Sequence, residues 1–400
     1  WSIDLINERS RNNFDHVSGV VFDRIEVVQG PRIVFGNVLG QRSTAEDVDE
    51  LHPLAETFLD LLYDGPQDEL RARKGLEDEL AAQLTGGNHV CVRGFARAGK
   101  TTMLKGILQR ACERTGGAAI FLDLRDPDRD DGLPQSVEAV LGRLTKKVTE
   151  FLGRVGASEL KADPKAPLTI LGELAAPIFI GLDEVAVLAT LGNERMVTLL
   201  DVVLTTPKNV RVAMAVEHHR DVDPLIETAV VQRPGMASAF VPPIADDELV
   251  TLVNVPAQKH GVTFADEALG ALAEISGNRP WEVVTFCALA AMKLPKGFTG
   301  VVAPEAIDAL VNLDELAVVD EGQALIDVAL RTLVAAMTPA ERSLCELLAV
   351  GGEGEIPEDA IAALEASGLV SQTDGLTLNG AFFAGIVEAV ARGVIKVATE

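Results

Sequence analysis

Up to about residue 242 the apolar positions alternate between short continuous runs and stripes at helical spacing. For some hundred residues beyond it only the helical stripes are evident. Val90, Cys91 and Val92 predict a buried strand, and Met103, Leu104, Ile107, Leu108 and Ala111 predict the helix that follows it. Further strands are expected at 118–124, 178–182 and 210–216, with helices over 135–152 and 194–204 between them. Strands this uniformly apolar, alternating with helices, predict an α/β core whose parallel sheet is covered on both faces.

Upstream, an alternating segment at 20–28, Gly30-Pro31 and a β-like run at 33–35 predict a hairpin. A helical stripe spans 44–63, with Pro53 placing its continuity in question, and a second amphipathic helix over 68–84 closes at Gly86-Gly87. Downstream, helices are expected at 246–259, 266–275, 280–293 and 303–311, then a linking helix near 320–337. Thr338, Pro339 and Glu341 read as a capping box with proline at the first helical position. Helices at 339–349 and 357–367, short β-like stretches at 369–370 and 376–378 around Asp374-Gly375, and a last helix from about 380 suggest a winged-helix module. The resulting domains are an N-terminal extension (1–66), an α/β core (67–242), an all-α domain (243–318) and a winged-helix-like domain (319–400).

The composition of this 400-residue chain, 48% apolar, suits two or three packed domains, and no apolar stretch approaches the ~20 residues of a membrane span. A formal charge of −25 disfavours a protein that wraps nucleic acid, while leaving room for a local basic patch. The four cysteines, Cys91, Cys112, Cys287 and Cys345, lie far apart within apolar patterns, read as buried free thiols and point to a reducing, cytoplasmic setting. Neither the six histidines nor the adjacent His218 and His219 show metal-ligand spacing. The chain opens at Trp1 without an initiator methionine or a leader pattern, which suggests a fragment of a longer product.

Between the strand at 90–92 and its helix, Gly94, Gly99, Lys100 and Thr101 fit the pattern G-x-x-x-x-G-K-[ST]. Glycines let the backbone of Gly94, Phe95, Ala96, Arg97, Ala98 and Gly99 curl so that successive N–H groups converge on phosphate oxygens, with the helix that holds Thr102 adding its positive end. Lys100 would reach the β- and γ-phosphates, and Thr101 would ligate Mg²⁺. The strand at 178–182 runs into Asp183 and Glu184, so Asp183 is placed to hold Mg²⁺ and Glu184 to polarise an attacking water. An acidic pair alone reads equally well as charges at a helix N-terminus, and its position beyond an apolar strand downstream of a phosphate loop favours catalysis.

GFARAGKTT at 94–102, IFIGLDE at 178–184, SGNRPW at 276–281 and the terminal segment together resemble the additional-strand P-loop ATPases, above all the STAND class and the related initiator-like AAA+ proteins, over residues 67–392. The resemblance implies ATP or ADP with Mg²⁺, a helical lid over 243–318, and a lid signature on Ser276 to Trp281 with Pro280 near the adenine. Arg279 is then either a sensor of the γ-phosphate or a cap-region arginine. Glu217 or His218 stands where related proteins carry a polar sensor, or simply ends a strand, and Arg211, Arg220 and Arg233 are finger candidates by location alone. The function implied is an ATP-dependent switch in which nucleotide state controls domain arrangement, homo-oligomerisation or a protein partner. The alternative is a DNA-associated ATPase of initiator or transposition-accessory type. The helix expected at 357–367 has no basic residue and three acidic ones, which favours packing against protein over reading DNA.

Overall fold

A computed structural model describes residues 52–64, 72–125, 132–219, 226–308, 310, 329–334, 336–351, 358–372 and 376–392. The hairpin expected at 20–35, residues 44–51 of the first expected helix, most of the linking helix and Arg220 lie outside the described residues. The chain divides into two compact units. Among the described residues, one holds 74–94 and 100–240, and the other holds those up to 73, the loop 95–99 and everything from 241 onward.

Helix α1 (Pro53–Asp64) belongs to the second unit. The first unit then runs α2 (Lys74–Thr85), β1 (His89–Gly94), α3 (Lys100–Thr115), β2 (Ala118–Asp123), α4 (Val137–Arg154), β3 (Ile178–Asp183), α5 (Asn193–Leu204), β4 (Val210–Glu217) and β5 (Met236–Phe240). The second unit resumes with α6 (Asp246–Gln258), β6 (Val262–Phe264), α7 (Asp266–Ser276), α8 (Pro280–Met292), β7 (Gly300–Val302) and α9 (Glu305–Asp308). It continues through α10 (Pro339–Val350), α11 (Glu358–Ala366), the pair β8 (Val370–Ser371) and β9 (Thr377–Leu378), and α12 (Ala381–Ala391).

In the first unit the five strands form one sheet in the order β2-β3-β4-β1-β5, every neighbouring pair parallel. Strand β4 therefore lies between β1, which leads into the phosphate loop, and β3, which ends in Asp183. All six residues of β3 are buried, as a strand covered on both faces requires. Gly181 within it lets α3 approach: a Cβ there would lie 2.5 Å from Leu108 Cδ1, and Leu108 is itself fully buried. On α2, buried Glu77 accepts a 3.0 Å bond from Arg110 of α3, and Asp78 binds Arg110 and Arg114. Strand β5 was not anticipated, because MASAF offers small residues and no alternation.

The second unit has its own core. Helix α1 packs against α8, with Phe58 edge-on to Phe264, and Phe286 edge-on to Phe382 of α12. Pro53 is the first residue of α1, where its missing N–H costs no helical bond, so it starts the described helix and does not interrupt it. The stretch expected to be wholly helical contains β6 and β7, which pair in parallel. Three residues each are too few to register as a period-two pattern. The capping box is formed: Thr338 Oγ1 accepts from the Glu341 N–H at 3.2 Å, and Glu341 accepts from the Thr338 N–H at 2.8 Å. All four cysteines are buried, and none is in a disulfide. Burial pushes the Cys112 and Cys345 thiols up to about 12, which leaves them unreactive. No described helix is long and apolar enough to cross a membrane.

At the start of β1, His89 Nδ1 accepts the Val212 N–H of β4 at 3.0 Å. Burial, with the charges of Arg211 and Arg233, lowers its pKa from 6.5 to about 4. As pH falls through 6.5 the unfolded chain takes up a proton that the folded one refuses, so stability declines down to about pH 4. Urea titrations at pH 7 and pH 4.5 should show wild type losing about 1–2 kcal/mol more than His89→Asn, whose amide oxygen can replace Nδ1, after allowance for the half-buried ring. Equal losses in the two proteins would dismiss His89 as the acid-sensitive group.

Candidate functional site

The register of the sheet sets what its carboxyl-terminal edge presents. Gly94 is level with Glu217, and Asp123 with Asp183, so four strand ends bring a loop, two aspartates and a glutamate to the edge where ligands bind in open parallel sheets. His218, one residue beyond β4, donates its N–H to the Gly94 carbonyl at 2.9 Å and lies edge-on to Phe240. This backbone-to-backbone bond ties the end of β4 to the exit of β1.

Helix α3 begins at Lys100, which is buried, as is Asp183. The Thr101 hydroxyl donates to the Asp183 carboxylate, whose pKa is nonetheless raised, first by burial and then by the charge of Asp123, against the opposing pull of Lys100. Glu184 follows in the left-handed region at φ 57°, a conformation that costs a non-glycine residue free energy and turns its side chain off the strand line. Its N–H donates to Asp183 Oδ1 at 3.1 Å. Burial and the Asp183 charge push its carboxyl up to about 7, countered by Arg125 and Lys100. Thr102 stands half-buried in the first turn of α3.

Three side chains in this cluster had no sequence-based expectation. Asp123 ends β2, Arg125 binds it at 2.9 Å and lies 3.9 Å from Glu184, and Lys105 sits over the Phe121 ring. Burial lowers the Lys105 ammonium below its usual range, while Asp183 and Asp123 oppose the shift. The signal for Asp123 was present: AAIFLD is an apolar run ending in aspartate, as is IFIGLD. By contrast, Arg211 bonds to the Gly87 and Val210 carbonyls, and Arg233 to Asp201, at the opposite end of the strands. Their positions at strand starts take both away from the carboxylate edge within this unit.

The donor set suits Mg²⁺. Among the described residues no group of three or more His, Cys, Asp or Glu forms a cage, and Mg²⁺ needs none, since it is held by one or two protein oxygens, waters and substrate phosphates. A hydroxyl already bonded to a buried carboxylate that burial disfavours as an anion is such a pair of hard donors.

Within the second unit, loop residues 95–98 line a pocket together with Pro242, Pro280 and Trp281. Arg97 has φ 64°, and its guanidinium lies 4.4 Å from the Trp281 ring centre. Arg73, also absent from the sequence-based reading, donates to the Ala98 carbonyl at 2.8 Å. Arg279 caps α8, pairs with buried Glu282 at 2.8 Å and donates to the Asn379 carbonyl at 3.0 Å, while its Nη2 is buried without a partner. Pro280 occupies the first position of α8.

No protein-family model matches the chain, and no curated protein does. Among solved structures it is similar to the Walker-type ATPase of Pyrococcus abyssi, at 14% identity and a TM-score of 0.50, over 79% of this chain and 96% of that one. Aeropyrum pernix ORC1 in complex with DNA aligns at 14% identity, covering 81% and 93% of the two chains with a TM-score of 0.39. The Thermotoga maritima RuvB Holliday junction branch migration motor aligns at 14%, covering 82% and 94% with a TM-score of 0.39. At such identities likeness speaks to fold alone, and only the first carries weight. Together with the parallel sheet and the loop between β1 and α3, it gives the core of this chain the α/β fold of P-loop nucleoside triphosphatases.

Proposed function

We propose that the chain binds ATP with Mg²⁺ and hydrolyses it slowly, as a switch of the STAND type. The observation that carries this reading is the register that sets Asp183 level with Asp123 at the carboxyl-terminal edge of the sheet, with the buried Lys100, and Thr101 after it, opening the helix that follows the phosphate loop. In this reading the backbone of 94–99 cradles the phosphates, Lys100 neutralises the β- and γ-phosphates, and Thr101 and Asp183 hold the metal. Glu184 accepts the proton of the attacking water, and Arg125 at 3.9 Å helps to keep its carboxylate charged. Mg²⁺ held by Thr101 and Asp183 would supply charge neutralisation to the phosphates.

The switch follows from differential contact. A γ-phosphate bound by Lys100 and by the metal on Thr101 is lost on hydrolysis, so the two nucleotide states favour different arrangements. Support for a C-terminal winged-helix module comes from the order α10, α11, hairpin and α12. We take nucleotide-dependent assembly with itself or a protein partner as the output.

Titration with ATP should show Lys100→Ala binding at least about tenfold more weakly than wild type, the scale of a lost charge-assisted contact. Unchanged affinity would remove the assignment. Glu184→Gln should bind ATP normally and release phosphate at least about a hundredfold more slowly, the typical contribution of a general base. Undiminished release would rule Glu184 out as that base. Mass measured in solution with ATP and with ADP should differ, and an identical mass in both would reject nucleotide-driven assembly.

A further inference from the structure

We propose that Phe95 couples the phosphate loop to the second unit: its ring, moored in that unit's core, makes the shape of the loop depend on the unit, and phosphate in the loop tightens the unit in return. The proposal rests on the ATP-binding reading above and adds the regulation of that site. The motif leaves the four residues between Gly94 and Gly99 unspecified, so phosphate chemistry does not ask for a large apolar side chain at the first of them. The chain nevertheless places Phe95 there, buried in the core that also holds Phe58 of α1 and Phe286 of α8. Burying such a ring is worth roughly ten- to a hundredfold in an equilibrium constant. A loop that only bound phosphate would have no use for it.

Two further ties hold the same loop within the second unit. The Ala98 carbonyl accepts from Arg73 Nη1 at 2.8 Å, and the Arg73 N–H donates in turn to the Glu248 carboxylate. Glu248 also accepts the Ala245 N–H at 3.1 Å, so the carboxylate that caps α6 is the one that orients Arg73. The Arg97 guanidinium lies 4.4 Å from the Trp281 ring centre on α8, a contact worth about two- to fivefold, less than the buried ring. Between these ties the loop is closed by its own turn, in which the Phe95 carbonyl accepts the Ala98 N–H at 3.3 Å. Arg97, at φ 64°, keeps a conformation that persists where the surroundings over-determine it. Phosphate oxygens need the N–H groups of 95–99 to converge, which requires one arrangement of a backbone that the core, α6 and α8 all hold. Such coupling is reciprocal. Whatever factor the moored ring adds to phosphate affinity, bound phosphate adds to the closure of the second unit's core.

Hydrogen exchange of the full chain is followed with and without saturating Mg²⁺-tripolyphosphate, which carries phosphates and no base, and the affinity of that ligand is measured by titration. Helix α1 is the reporter, because it packs against α8 and none of its residues lines the pocket or belongs to the proposed site. In wild type, tripolyphosphate should slow α1 exchange about fivefold or more, the lower end of coupling between sites. Phe95→Ala should bind tripolyphosphate about fivefold or more weakly. At saturation the ligand should still protect the first turn of α3 in this variant, while α1 exchange stays within about twofold of its unliganded rate. Phe95→Leu, which keeps an apolar anchor, should recover most of the slowing. A ring that only filled the core would speed α1 exchange in Phe95→Ala and leave the ligand-induced slowing undiminished, and that result overturns the proposal. Wild-type binding that leaves α1 unmoved overturns it equally. Should Phe95→Ala fail to fold, Phe95→Val, a smaller truncation, is read in its place by the same criteria. Failure of wild type to bind either ATP or tripolyphosphate would remove the nucleotide reading and this coupling with it, a result distinct from binding to which α1 is indifferent.

Discussion

Buried charge at the carboxyl-terminal edge of the parallel sheet is the constraint on which the first unit depends. Lys100 and Asp183 are both shielded from water, and an ionised group there is tolerated only with partners. The fold supplies them by register. Strand β3 delivers Asp183 level with Asp123, and α3 delivers Lys100 and Thr101 at its first turn. The position of α3 in turn depends on Gly181, since any larger residue on β3 would meet Leu108. Burial first, and then the charge of Asp123 on Asp183 and of Asp183 on Glu184, raises the pKa values of the two carboxyls. A divalent cation is the natural complement, and it would act on the carboxylates in the same direction as Lys100 and Arg125 already do.

Much of this was legible from the order of residues. Long apolar runs such as IFIGL can be little other than buried strands, and a glycine-rich loop followed by Lys-Thr has a known chemical use. The elements that escaped detection are short or weakly patterned. Strand β5 is MASAF, and β6 and β7 have three residues each; all three are strands because a neighbour's ladder is available, a tertiary fact. Asp123 was legible in principle, since its strand ends as β3 does. Arg125 and Lys105 were not, because a charged residue two places beyond a strand or one turn into a helix is common, and only register brings them to the same edge.

The run SGNRPW at 276–281 illustrates how a motif can have a structural reason of its own. Gly277 ends α7 at φ 58°, and a Cβ there would lie 3.1 Å from the Asn379 carbonyl oxygen. At Gly380 a Cβ would meet the Gly277 nitrogen at 2.9 Å. Two stretches of backbone a hundred positions apart in the chain therefore touch, and only glycine permits the contact. That contact carries Arg279 to the Asn379 carbonyl and places its guanidinium 5.4 Å from the Phe383 ring centre.

Arg279 was open to two readings, phosphate sensor or cap-region arginine, and its surroundings bear on both. Its Nε is held by Glu282 and its Nη1 by Asn379, so two of its three nitrogens serve packing within the second unit. Its Nη2 is buried without a partner, which is costly for a cationic donor unless something else takes it up. The same side chain lines the pocket with Arg97 and Trp281. A guanidinium fixed on two sides and open on the third is preorganised for an acceptor, because the fixed bonds have already met the entropic cost of ordering it. On the proposed reading, an occupant that reached Nη2 would engage a residue that also fastens α8 to the loop before α12. Lid and C-terminal segment would then respond to the pocket through one side chain, without needing a longer chain of contacts.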